Sequence, residues 1–138
     1  MKQLSIFVEN KVGSLAEVTR ILKEAGINLR AVASFDSPSY GILRVIVDDP
    51  EHARELLLSE KHAVKMTDVL AVELVDKPGA LDGALQRLAE AGISINYVYS
   101  FVLRKEAEPL MVLHVSDMER GRRVLQEAGL HVVDKLDS

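Results

Sequence analysis

Leu4, Ile6 and Val8 alternate with Ser5, Phe7 and Glu9, the two-residue period of a strand with one buried face. The period then changes. Leu15, Val18, Ile21, Leu22 and Ala25 recur at helical spacing and form one apolar stripe. Ser14 and Glu17 make the S-x-x-E pattern, which predicts a capping box at the helix start. Gly26 is placed to end the helix in a left-handed conformation. The pattern next predicts a strand over 28–35, a turn at Asp36-Ser37-Pro38-Ser39 and a strand over 41–47. Asp49-Pro50, a cap followed by proline at the first helical position, opens a helix to about residue 60. A short strand over 62–66 closes the series.

The series occurs twice. Residues 4–35 align without gaps on 70–101, with 12 identities in 32 positions. Among them are Gly13/Gly79, Leu15/Leu81, Gly26/Gly92, Ser34/Ser100 and Phe35/Phe101. Further on the offset grows from 66 to 68, pairing Asp49 with Asp117 and Leu57 with Leu125. The second copy therefore carries two extra residues, most simply in the loop at 104–109. Its elements are predicted as strands over 70–75, 94–103, 110–115 and 130–134, and helices over 80–91 and 117–128. Each copy reads βαββαβ, the split βαβ, ferredoxin-like motif. The fold class is α+β: two ferredoxin-like modules in tandem, 1–67 and 68–138, each an antiparallel sheet with its helices on one face. A module of this size buries only about 60% of its unfolded surface, so the copies are expected to pack on each other.

The 138 residues carry 17 Lys and Arg against 21 Asp and Glu, a net charge of −4. An acidic chain whose central strands are aliphatic offers neither the basic field nor the stacking aromatics of a nucleic-acid binder. There is no cysteine, which removes disulfides, thiolate metal sites and a Cys nucleophile. His52, His62, His114 and His131 fall at no metal-ligand spacing. No Ser is coupled to a His in a recognisable catalytic motif, and Ser14 is read as a cap. Arg20, Arg30, Arg44 and Arg104 are scattered, with no phosphate-cradling loop beside them. No catalytic residue, metal or cofactor is assigned. No segment approaches the roughly 20 apolar residues of a membrane helix, and the first eight residues lack the apolar run of a signal peptide. A cytoplasmic protein is expected.

The informative segments are the loops between first strand and first helix: Glu9-Asn10-Lys11-Val12-Gly13-Ser14-Leu15 and Val75-Asp76-Lys77-Pro78-Gly79-Ala80-Leu81. Each brings a glycine to a helix N-terminus, where free N–H groups and the helix dipole favour an anion such as a carboxylate. Asn10 or Asp76 adds an acceptor for an ammonium group. After the helix come Gly26-Ile27-Asn28 and Gly92-Ile93-Ser94, with Asn96 two residues on. Loop and second strand together supply donors and acceptors for a zwitterion. A tight turn capped by an Asx side chain explains the same residues, and physics alone does not choose between the two.

The pattern (Asn/Asp)-Lys-x-Gly-(Ser/Ala)-Leu, an amphipathic helix, then Glu-Ala-Gly-Ile-(Asn/Ser) resembles the ACT domain, a small regulatory module of amino-acid metabolism. The resemblance covers both copies, and the first is especially similar to the serine-sensing domain of phosphoglycerate dehydrogenase. It implies that Asn10 and Gly13, with Val12, Ser14 and Leu15 around them, hold the ligand. It implies too that Asn28 reaches it across a pair of domains. In the second copy Asp76, Pro78, Gly79, Ala80 and Leu81 match the loop, and Ser94, with Asn96 nearby, stands where the asparagine would be. Paired modules with an amino acid at their interface are implied, as is a homodimer.

The expected function is a free-standing amino-acid-binding regulator acting on a separate enzyme of amino-acid metabolism. Its partners would be the small-molecule amino acid, a second copy and that enzyme, with no nucleic acid and no membrane. A ligand-free protein-interaction module and a small enzyme on the same fold are the rival readings. Tyr97, Tyr99 and Phe101 alternate on one strand opposite Ala31, Ala33 and Phe35 in the alignment, a large-against-small arrangement. It suits two surfaces that interdigitate, and reads either as plain sheet packing or as the lining of an inter-module or ligand interface.

Overall fold

A computed structural model of the chain describes residues 1–36, 40–101 and 108–135. The turn expected at 36–39 and the extra residues expected at 104–109 lie largely outside these. The chain divides into two units, Lys2–Thr67 and Asp68–Ser138, with Met1 belonging to the second. The Val69 amide donates to the Met1 carbonyl at 2.9 Å, and Met1 packs against Ala71, Leu110 and Val133.

The first unit runs β1 (Lys2–Glu9), α1 (Ser14–Glu24), β2 (Leu29–Asp36), β3 (Tyr40–Val47), α2 (Pro50–Ser59), β4 (Ala63–Asp68). Its sheet has the order β2-β3-β1-β4, with β1 and β2 each antiparallel to β3. Leu4 and Ile6 of β1 and Leu43, Val45 and Val47 of β3 share a face. Val18, Ile21 and Leu22 of α1 and Ala53 and Leu57 of α2 bury against them. Both helices thus lie on one side of the sheet. Each fully buried aliphatic side chain contributes about 1.5–3 kcal/mol relative to exposure, so this stripe stabilises the unit far more than surface pairs such as Arg20–Glu24 at 2.9 Å.

The helix ends follow the sequence at three points and depart at a fourth. Gly26 takes φ +70°. The Ile27 amide reaches back to the Leu22 carbonyl and the Gly26 amide to Lys23, the paired bonds of a Schellman ending. Asp49 caps α2 by accepting the His52 amide at 3.3 Å. Asp117 caps the fourth helix by accepting the Arg120 amide at 3.0 Å. The capping box expected at Ser14 and Glu17 does not form. Gly13, at φ +86°, occupies the cap position with no side-chain hydrogen bond, and Ser14 is the first helical residue. The reason is steric: the chain turns from β1 into α1 so sharply that the cap must be left-handed, which glycine adopts without penalty and serine does not. Glu17 instead faces His62, Oε1 to Nε2 3.5 Å.

The second unit repeats the plan: β5 (Leu70–Glu73), α3 (Ala80–Glu90), β6 (Ile95–Ser100), β7 (Leu110–Val115), α4 (Met118–Glu127), β8 (Val132–Val133). Its order is β6-β7-β5-β8, all described pairings antiparallel. β5 and β8 are shorter than the hydrophobic runs suggest. Leu74 still donates to the Pro109 carbonyl at 2.9 Å and Glu73 to that of His131 at 3.0 Å, so the backbone remains bonded where the regular ladder stops. Both units shift register at the same place in the repeat, between Leu29 and Ala31 and between Ile95 and Tyr97.

Two glycines inside helices have opposite surroundings. A Cβ on Gly83 would meet nothing within 4 Å, whereas one on Gly121 would sit 2.9 Å from Val115 Cγ2 and 3.4 Å from Leu70 Cδ1. Gly83→Ala is expected to stabilise the protein by about 1 kcal/mol through helix propensity. Gly121→Ala is expected to lose stability despite the same gain, because overpacking against a stiff valine costs about 1–3 kcal/mol. Urea unfolding of the two variants, with a higher midpoint for the first and a lower one for the second, checks both.

Candidate functional site

In the first unit the C-terminal ends of β1 and β2 and the start of β3 converge. Val8 pairs with Gly41, Glu9 with Tyr40 and Phe35 with Ile42. Gly41 is buried, and a Cβ there would lie 3.0 Å from the Phe35 carbonyl oxygen, so the approach of β2 to β3 requires glycine. The loop from β1 to α1 stands over this end of the sheet. A cavity of about 320 Å³ opens between them. Asn10, Lys11, Ser14 and Leu15 line it from the loop and the first turn of α1, and Ser34, Phe35, Gly41 and Ile42 from the strands.

The loop is shaped by its own backbone. The Lys11 amide donates to the Glu9 carbonyl at 3.0 Å, and the Ser14 amide to the Lys11 carbonyl at 3.3 Å. The first bond of the helix runs from the Glu17 amide to the Gly13 carbonyl at 3.0 Å. That leaves the amides of Leu15 and Ala16 without intrahelical acceptors, as at any helix start. Lys11 and Glu9 pair at 3.1 Å in the open. Val12, at the tip, is fully exposed, and Leu15, Phe35 and Tyr40 are also exposed. The guanidinium of Arg44 lies 4.8 Å from the centre of the Phe35 ring, a cation–π contact that fixes one wall.

Of the first-copy residues expected at a site, Asn10, Ser14 and Leu15 meet at this cavity, Gly13 sets its loop, and Val12 points to solvent. Asn28 is elsewhere in the unit. It lies in a hollow with Thr19, Lys23 and Gly26, and its carbonyl accepts the Asp48 amide at 3.2 Å. Neighbouring Leu29 pairs with Val47, whereas Glu9 pairs with Tyr40. These are the two ends of β3, about 23 Å apart at strand rise.

The second unit copies the loop and changes its surroundings. Gly79 caps α3 at φ +87°, and the Ala80 amide donates to the Lys77 carbonyl at 3.3 Å. The Asp76 amide donates to a Glu108 carboxylate oxygen at 3.2 Å. Pro78 is exposed, and Leu81 packs on the second core. Gly79 and Ala80 line a cavity of about 470 Å³ that Asp76, Pro78 and Leu81 do not. Ser94 is tied through its amide to the Ser116 hydroxyl at 3.1 Å. Asn96 Nδ2 lies 2.9 Å from His114 Nδ1, and the His114 ring stacks on Tyr97 at 5.1 Å.

Sequence reading overlooked Ser34, Gly41, Ile42 and Arg44 as site residues and met Phe35 only in the stripe weighed as sheet packing or an interface lining. Two signals pointed to some of them: the identities Ser34/Ser100 and Phe35/Phe101 between copies, and Gly41 near the start of β3; Ile42 and Arg44 carried none.

A family model described as an ACT domain pair matches residues 1–137. The chain belongs to the ACT domain pair family. Among solved structures it is similar to protein BT0572 from Bacteroides thetaiotaomicron, with 39% identity and a TM-score of 0.89 over 96% of this chain and 90% of that one. It is also similar to the regulatory subunit of aspartate kinase from Thermus thermophilus, at 19% identity and TM-score 0.65 over 92% and 91% of the two chains. The regulatory subunit of aspartate kinase from Thermus flavus matches at 18% identity and TM-score 0.61, covering 93% and 92%. At such identities the two Thermus proteins share the fold. No match was found among curated proteins. Among the described residues of this ACT pair, no helix is long and apolar enough to cross a membrane.

Gly13→Ala and Gly79→Ala each force a Cβ into a left-handed conformation and are expected to cost about 1–2 kcal/mol. Denaturant midpoints of the two variants measure this, and equal losses in both copies are the expected result.

Proposed function

We propose that this ACT pair is an amino-acid-binding regulator rather than an enzyme. The observation that carries the reading is the cavity where Asn10, Ser14 and Leu15 face Ser34 and Phe35 at the start of α1. A helix start offers amide donors to a carboxylate, and the Asn10 side-chain oxygen is an acceptor suited to an ammonium group. Leu15, Phe35 and Ile42 offer apolar surface to a ligand side chain.

The ligand is held where two modules pair, with Asn28 of the pairing module closing on Asn10. Separation of these residues within one unit supports this arrangement, because a single module does not complete the site alone. A homodimer follows. The regulated enzyme belongs to amino-acid metabolism and is carried on a separate chain, a reading supported by the fold shared with regulatory subunits of aspartate kinase. Ligand binding acts by favouring the arrangement that closes on it, which requires a difference in affinity between two states.

The exposed rim of Val12, Leu15, Phe35 and Tyr40 favours a second reading, a protein-docking surface that binds no small molecule.

A thermal-shift panel of the common amino acids and their 2-oxo acids separates the two. One or two compounds are expected to raise the melting temperature at millimolar concentration or below, since a ligand binding only the folded state stabilises it by mass action. Asn10→Ala and Asn28→Ala are each expected to weaken the best compound at least tenfold, with little change in the melting temperature of the free protein. A flat panel moves the assignment to the docking surface.

A further inference from the structure

The Asn10 cavity has a floor without a side chain. Val8 lies two residues from Ile6, Gly41 lies two from Leu43, and Ser34 pairs with Leu43, so all three fall on the core face of the sheet. A Cβ on Gly41 would stand 3.7 Å from Val8 Cγ2. Glycine therefore leaves open the space beside the valine. Leu15 lines that space from the first turn of α1 and stays exposed, outside the core stripe. Among the described residues of the lining the charged ones are Glu9 and Lys11, which pair with each other at 3.1 Å. The lining thus brings no net charge to a ligand side chain. It offers aliphatic carbon, with the hydroxyls of Ser14 and Ser34 at its edges.

The second unit follows the same plan with the equivalent space taken up. The alignment sets Leu74 against Val8, Pro109 against Gly41 and Leu81 against Leu15. The Leu74 amide donates to the Pro109 carbonyl at 2.9 Å, so a leucine and a proline meet where the first unit has a valine and no side chain. Leu74 is buried in the second core, and Leu81 packs on that core. Phe101 packs against Ala71, Leu110 and Val133, whereas its counterpart Phe35 is exposed. A carboxylate oxygen of Glu108 accepts the Asp76 amide at 3.2 Å. The loop thus already carries an anion of its own, which opposes the carboxylate of a ligand.

We infer that the chain binds one amino acid, in the first unit, and that the side chain of this ligand is aliphatic: that of valine, leucine or isoleucine. The inference rests on the amino-acid reading of the Asn10 cavity and adds to it the class of ligand and the number of sites. With the carboxylate at the start of α1 and the ammonium group on Asn10, the ligand side chain lies over Gly41 between Val8 and Leu15. A charged side chain in that place gives up its hydration and meets no net opposite charge. A hydroxyl is tolerated better, because Ser34 is a partner for it, but it sets oxygen where valine would set a methyl group against Val8 and Leu15.

Calorimetric titration of the whole chain with valine, leucine, isoleucine, threonine, alanine, lysine and glutamate tests this. Glutamate belongs in the series because the hollow around Asn28, which closes the site, also holds Lys23. One of the three branched aliphatic amino acids is expected to bind most tightly, with one ligand per chain. Its affinity is expected to exceed those of lysine and glutamate at least tenfold, and valine to exceed its isostere threonine about tenfold. Leu15→Ala is expected to weaken leucine about tenfold and alanine less than about threefold, since only leucine reaches the missing side chain. Asn10→Ala is expected to weaken both alike, because it acts on the groups that every amino acid shares. If none of the seven binds, the amino-acid reading of the cavity falls and this inference falls with it. Binding led by lysine, glutamate or threonine, two ligands per chain, or equal losses of leucine and alanine in Leu15→Ala leave that reading standing and overturn the inference.

Discussion

The structure turns on one backbone conformation used twice: a glycine at φ +86° or +87° between a strand and the helix that follows it. The turn is too sharp for a side-chain cap. Helix α1 therefore starts one residue after Gly13, with its first free amides directly above the end of the sheet. Every other feature of the first-unit cavity depends on that placement. Ser14 becomes a lining residue because it is not a cap. Leu15, one step further round the first turn, is kept out of the core stripe and left facing the strand ends. A β-carbon at residue 13 would open the turn and move these groups together.

The sequence made the architecture legible because its two signals agree. Alternation in β1 and the 3.6-residue stripe in α1 each mark a buried face, and the burial of Leu4, Ile6, Val18, Ile21 and Leu22 follows both. Gly26, Asp49 and Asp117 are position-specific signals, and each acts in the structure as its residue type dictates. Ser14 misled because S-x-x-E is a local pattern. It scores the affinity of a hydroxyl for an amide, while the constraint that wins is the distance the chain must cover between β1 and α1. Glu17 was drawn instead to His62, from the end of the unit, a contact no window of a dozen residues contains.

The site was legible in half. Residues on the loop were found because they are contiguous. Ser34, Phe35, Gly41 and Ile42 come from strands that meet the loop only through the register of β3 against β1 and β2. Pairing is a long-range fact, and composition carries no trace of it. What did carry a trace was the repeat. Identity at Ser34/Ser100 and Phe35/Phe101 survives where neighbouring strand positions differ, and Gly41 is needed where β2 and β3 approach to within the width of a side chain.

The repeat also separates what the fold needs from what each site adds. Positions that set the frame are shared: the left-handed glycines, the Schellman endings, the aspartate caps, the register shift in the second strand. Other positions of the first helix are not. Glu17 and His62 close a space that Gly83 and Leu130 leave open, and Ile21 is core where Arg87 reaches solvent. Ile21 belongs to the first unit's core and Leu130 packs on the second's, so these exchanges change the packing over the sheet as well as the space beside the helix. The frame holds through them because its turns, caps and strand register are set by other residues.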